Sequence, residues 1–192
     1  MYDDAKGKGR PMMKIMDYDY ADRVLLTTLD ILNEKGIAVT RIMLHKFLFF
    51  LNSYKMGTGF RFEPYTYGPF SFDLSDKLNL FHALGQIGCN DQRQYAALSH
   101  SDDPALKAKI AEGYDQFSQI MENDFSFAAL ECVGTLMYCV LSLKKSGEKD
   151  LDDGRILKEF KGWKGRKYGD GKIQSYLNQI KEHDLIDGVR IQ

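Results

Sequence analysis

Apolar residues recur at helical spacing through most of the chain. Ala21, Val24, Leu25, Thr28 and Leu32 share one face, so residues 19–34 read as a helix stopped by Gly36. A second helix, about 40–55, starts at Thr40, a good N-cap, and is apolar almost all round (Ile42, Met43, Leu44, Phe47 through Leu51, Tyr54), so it should lie buried. Its polar residues Arg41, His45, Asn52 and Lys55 form a narrow polar stripe, with His45 expected at the surface or half-buried. Next, Phe60, Phe62, Tyr65 and Tyr67 alternate with strand period, and Pro64 confines that strand to an edge. Gly68-Pro69 reads as a sharp turn, and Ser71 caps a helix over 72–84 with Asp73 near its positive end. Residues 85–98 read as a hairpin with Asn90-Asp91 at its tip. Asp103 and Pro104 open a fourth helix carrying Leu106, Ile110, Phe117 and Ile120. An apolar helix at 125–145, a possible helix at Arg155–Phe160 and a last one at 171–183 complete the chain. The expected fold is mainly α: a compact multi-helix domain with a short β-hairpin or edge strand and a winged-helix-like N-terminal part.

The 192 residues suit one domain, over 18–192, behind a flexible tail at 1–17. That tail carries acid and glycine with no apolar run behind it, unlike a signal peptide. Residues 125–143 are apolar enough to raise the question of a membrane span. Glu131, Gly134, Thr135 and Ser142 within them, and the lack of a second such segment, favour a core helix. A formal net charge of −1 provides no global attraction to nucleic acid or membrane. Of the three cysteines, Cys132 and Cys139 stand seven apart on one helix, about 10 Å along its axis and too far to bridge. Reduced thiols in a cytoplasmic protein are the reading.

Catalytic chemistry finds no foothold. There is no G-x-S-x-G elbow and no phosphate-cradling Walker loop. His45, His82, His100 and His183 are scattered, and neither H-x-x-x-H nor C-x-x-C spacing occurs, so neither a metal nor a cofactor is expected. Asp102-Asp103 and Asp152-Asp153 precede helices, where capping accounts for them.

Three features do stand out. Lys46 falls among Ile42, Phe49 and Phe50, so its ammonium must snorkel or meet a carboxylate; Glu63, Asp73, Asp76 and Glu131 are the candidates. It either pins the neighbouring segment in place or serves a partner. The turn Tyr65-Thr66-Tyr67-Gly68-Pro69-Phe70-Ser71 offers tyrosines suited to a core boundary or to an interface anchor. Between Arg155 and Lys172, seven cations stand against two carboxylates, a local charge of +5. Trp163 and Tyr168 are interleaved there, and Gly162-Trp163-Lys164-Gly165 has the G-x-x-G form of a KH clamp. Lys161, Lys164, Arg166 and Lys167 are thus solvated loop charges or contacts to nucleic acid.

The run Leu44-His45-Lys46-Phe47-Leu48-Phe49-Phe50, then Tyr67-Gly68-Pro69-Phe70-Ser71 and Leu74, then Leu80, Leu84, Gly85 and Ile87, resembles the SocA-like (Panacea) antitoxin domains and their YwgA-like relatives. The resemblance spans about residues 20–100. Lys46 and Phe50 occupy the family's lysine and aromatic positions, whereas Met43-Leu44 stand in the region of its first lysine. It implies a helical domain without enzymatic activity that captures a protein partner such as a toxin. Lys46, Tyr65, Tyr67, Gly68, Pro69, Phe70 and Ser71 are then the expected partner-binding residues. A winged-helix-like nucleic-acid binder is the alternative, although its recognition helix would present Asp73, Asp76, Asn79 and His82 to the phosphates.

Overall fold

Helix starts follow the side chains able to satisfy the first free N–H groups. Asp19 and Asp22 form a reciprocal capping box at α1 (Tyr20–Glu34). Thr40 Oγ1 accepts from Met43 N at 3.3 Å ahead of α2 (Arg41–Tyr54). Between α2 and the next helix lie strands β1 (Glu63–Tyr65) and β2 (Gly68–Phe70). Ser71 caps α3 (Phe72–Ala83), which leads to β3 (Ile87–Cys89) and β4 (Tyr95–Ala97). Asp103 caps α4 (Pro104–Ile120), Ser126 caps α5 (Phe127–Lys145), and Asp152 caps α6 (Asp153–Lys164). The last helix, α7 (Asp170–Glu182), follows Gly169. The computed structural model describes residues 18–54, 56–100, 102–147 and 152–183. Among them the protein is mainly helical, with two small antiparallel strand pairs. The tail expected at 1–17 and the stripe residue Lys55 lie outside the described residues.

One hydrophobic cluster runs from Val24 of α1 to Ile180 of α7. Its centre is α2, where every residue from Met43 to Leu51 is buried. Phe47, Phe50 and Phe117 meet there with ring centroids 5.2 to 6.4 Å apart. Full burial of one such ring contributes about 1.5–3 kcal/mol. Helix α5 crosses α2 and is long and apolar enough to span a membrane by length and composition, yet 67% of its most apolar stretch is buried inside the protein.

The first hairpin differs from its expectation. The turn falls at Thr66-Tyr67, and Gly68-Pro69 belongs to β2, paired Tyr65↔Gly68, Pro64↔Pro69 and Glu63↔Phe70. Gly68 follows the turn at φ +90°, a conformation nearly reserved to glycine. Two facing prolines have no N–H to exchange, so the flanking pairs carry the ladder, and both proline carbonyls point away from the partner strand. On the outer side of β1 this leaves a proline position without a donor, which blunts strand addition there.

No strand flanks Gly162–Gly165 among the described residues, as a KH clamp would need. Residues 162–164 close α6, and Gly165 at φ +58° ends it, its N–H bonding Lys161 O. The spacing of those glycines reflects helix termination.

Gly68→Ala should lower stability by about 1–3 kcal/mol in denaturant titration. An added Cβ there would also stand 2.9 Å from Thr135 Oγ1. Gly36→Ala, at φ +71° with open space around it, isolates the backbone part and should cost less. Equal losses would show that the hairpin tolerates displacement from α5.

Candidate partner-binding site at the first hairpin

Because β2 alternates, the outward backbone groups next to Phe70 are the Pro69 carbonyl and the Ser71 N–H. Both lie against α2. Lys46 Nζ donates to Pro69 O at 2.7 Å, and His45 Nδ1 accepts from Ser71 N at 3.4 Å. Adjacent residues of one helix thereby do what a third strand would do. A residue other than proline at 69 would aim an N–H at an ammonium, two donors facing each other; proline removes that conflict.

Lys46 is 2% exposed. Its stem lies over Gly134 of α5, where a Cβ would stand 2.6 Å from Lys46 Cδ. Burial, and secondarily the Lys164 ammonium, pull its pKa down from 10.5 to about 7, while Glu131 acts the other way. His45 is buried too and stacks on Phe70 with centroids 4.2 Å apart. Since Nδ1 accepts from a backbone N–H, Nε2 carries the proton and donates to Ser75 Oγ at 3.3 Å. Burial, then Lys46 and Arg41, depress its pKa to about 3, so the ring is neutral at physiological pH.

The turn is held from the other side by α6. Lys164 Nζ donates to Thr66 O and to Glu131 Oε1, each at 2.8 Å. Lys167 Nζ reaches Glu131 Oε2 at 2.6 Å. Burial alone would raise the Glu131 pKa, but the hydrogen bonds from Lys164 and Lys167 outweigh it and hold the carboxyl below the usual range. The Lys164 side chain is 5% exposed, so its place among solvent-facing cations for nucleic acid is corrected: its charge is used inside the protein. Lys161 pairs with Asp170 at 2.8 Å, and Arg166 is exposed.

Above this support lie half-exposed rings. Tyr65, at 49%, packs at 5.2 Å from Phe70 and 5.7 Å from Phe72, itself 50% exposed. Tyr67, at 50%, meets Phe127 edge-on at 5.0 Å, and Phe127 is 49% exposed. No protein-family model matches the chain, and no curated protein matches it in sequence. Among the described residues, no group of three or more His, Cys, Asp or Glu is placed to hold a metal ion.

The structure thus sorts the expected site into two layers. Tyr65 and Tyr67 reach solvent and Phe70 is half-buried, whereas Lys46, Gly68, Pro69 and Ser71 are buried and act on the shape of the hairpin from below. Sequence reasoning missed Phe72 and Phe127, which flank the hairpin at two helix starts. Two aromatic first-turn residues beside polar caps were the available signal. His45, expected as a surface or half-buried helix residue, is 2% exposed.

Lys46→Met should lose about 1–3 kcal/mol, because the Pro69 carbonyl is left buried without a donor. The pH dependence carries the sharper signature. Between about pH 7 and 10.5 the unfolded chain keeps a proton that folded Lys46 has released, so this residue makes stability rise with pH across that window. Denaturant titrations should therefore show the wild-type advantage over Lys46→Met growing from pH 7 to about 10. A pH-independent difference would mean that Lys46 titrates normally.

Proposed function

We propose that this chain is a non-enzymatic, protein-binding module of the antitoxin or adaptor kind implied by its resemblance to the SocA-like (Panacea) domains. It works in the cytoplasm without a cofactor and captures a partner protein such as a toxin. The observation that carries this reading is the set of half-exposed rings, Tyr65, Tyr67, Phe72 and Phe127, mounted on a hairpin whose backbone is fastened from both sides. Rigid aromatic anchors keep the entropy of ordering low when a complex forms, which is why tyrosine dominates binding hot spots. Free thiols at Cys132 and Cys139, whose pKa values burial pushes up to about 12, suit a reducing compartment.

The nucleic-acid alternative draws less support. Of its four proposed contacts, Lys164 has a buried side chain, Lys161 and Lys167 are paired with carboxylates, and Arg166 is exposed. The outward residues of α3 include Asp73, Asp76 and Asn79, which would face phosphates unfavourably.

The test is affinity capture from the native host with the full chain, alongside a Tyr65→Ser/Phe72→Ser double variant. The wild type should retain one protein in stoichiometric amount through an interface on the order of 1,200–2,000 Å². The variant should lose it while keeping its unfolding midpoint. Recovery of no stoichiometric partner, or equal capture by both proteins, would overturn the proposal.

A further inference from the structure

The charges beneath the hairpin do not balance. Three amines, on Lys46, Lys164 and Lys167, converge on Glu131, the carboxylate that bears on all of them. Lys46 donates to a carbonyl, and Lys164 divides its bonds between a carbonyl and the carboxylate. Lys46, its pKa pulled down to about 7, carries only part of a charge at neutral pH, so the surplus is chiefly the second amine on Glu131, that of the half-exposed Lys167. The opening toward solvent is at Lys167, whose side chain is 48% exposed. Its Nζ lies 5.9 Å from the ring centroid of Tyr67 and 5.6 Å from that of Tyr168.

A second cation adjoins Lys167 in the chain. Arg166, next in sequence, is exposed. Phe127, which packs on Tyr67, occupies the first turn of α5, and that turn contains no acidic residue. The carboxylate nearest that helix start, Asp124, accepts from Ser126 N at 3.0 Å and pairs with Lys172. A strand-pairing partner is disfavoured on this hairpin because the free edge of β1 centres on Pro64. Recognition would pass through side chains.

Building on the proposed partner-capture role, we infer that the face made by Tyr67, Phe127, Arg166 and Lys167 receives an acidic segment of the partner protein, its apolar groups on the two rings and its carboxylates on the two cations. A second copy of this chain fits less well, since it would bring the same cations against each other. Charge complementarity of this kind contributes specificity and association rate, while the rings hold the segment in place.

The experiment titrates the full chain with a glutamate–tyrosine random copolymer, with polyglutamate and with duplex DNA as comparison probes. The copolymer should bind more tightly than polyglutamate. Tyr67→Ser, Phe127→Ser and Arg166→Gln should each weaken it by roughly tenfold. Lys109→Gln, an exposed cation on α4, should leave it unchanged. Arg166→Gln is the decisive variant, because the side chain is exposed and its loss does not disturb Glu131. Copolymer binding that ignores Tyr67→Ser and Phe127→Ser would reduce the effect to bulk charge and overturn the inference. Preferential binding of DNA through Arg166 and Lys167 would overturn it in favour of nucleic acid. If the captured natural partner is lost by Tyr65→Ser/Phe72→Ser but kept by Tyr67→Ser, Phe127→Ser and Arg166→Gln, partner capture stands and the acidic segment does not.

Discussion

The outer backbone edge of β2 is buried, and a buried carbonyl or N–H must be hydrogen-bonded. Among the described residues no third strand pairs with it. Lys46 and His45 take that place, one donating to Pro69 and the other accepting from Ser71. Much else follows from this substitution of side chains for a strand. Residue 69 is best served by proline, which offers a carbonyl and no N–H. Gly134 must lack a side chain so that the lysine stem can pass. Gly68 must take a positive φ to bring the chain back close to Thr135. Lys46, His45, Gly68, Pro69 and Gly134 are thus five consequences of one hydrogen-bonding requirement.

This arrangement separates support from contact. The groups that hold the hairpin are buried and polar; the groups that face outward are aromatic. A two-stranded hairpin alone is marginal in water, and here the strands are only three residues each. Fastening at Pro69 by α2 and at Thr66 by α6 makes a short element stiff enough to present rings in fixed positions. The basic segment that follows α5 finds its use in the same scheme. Lys164 is spent on the turn and on Glu131, leaving Lys167 and Arg166 toward solvent.

Most helices were legible because the apolar period and the capping residues agreed: Ser71 and the Asp103-Pro104 pair mark starts that the structure keeps. The misplaced features share a cause. A helical wheel assigns His45 to a polar stripe, surface or half-buried, but a polar side chain can equally face a fully buried backbone edge, which no local pattern encodes. Gly-Pro is ordinarily a turn signal, and only the register of two facing prolines shows why it belongs in a strand here. Lys164 looked solvated because its carbonyl and carboxylate partners lie 98 and 33 residues away in sequence. Lys46 was identifiable as an anomaly within an apolar helix, though Glu131 had to share attention with three other acids and proved to bind the lysines of the following segment.

Side chains from α2 and α6 lock the first hairpin as firmly as the core. Native-state hydrogen exchange at the ladder amides of Tyr65 and Phe70 reads this directly. Both amides should exchange as slowly as core amides such as Phe47. Exchange as fast as that of Asp91, at the exposed tip of the second hairpin, would contradict it.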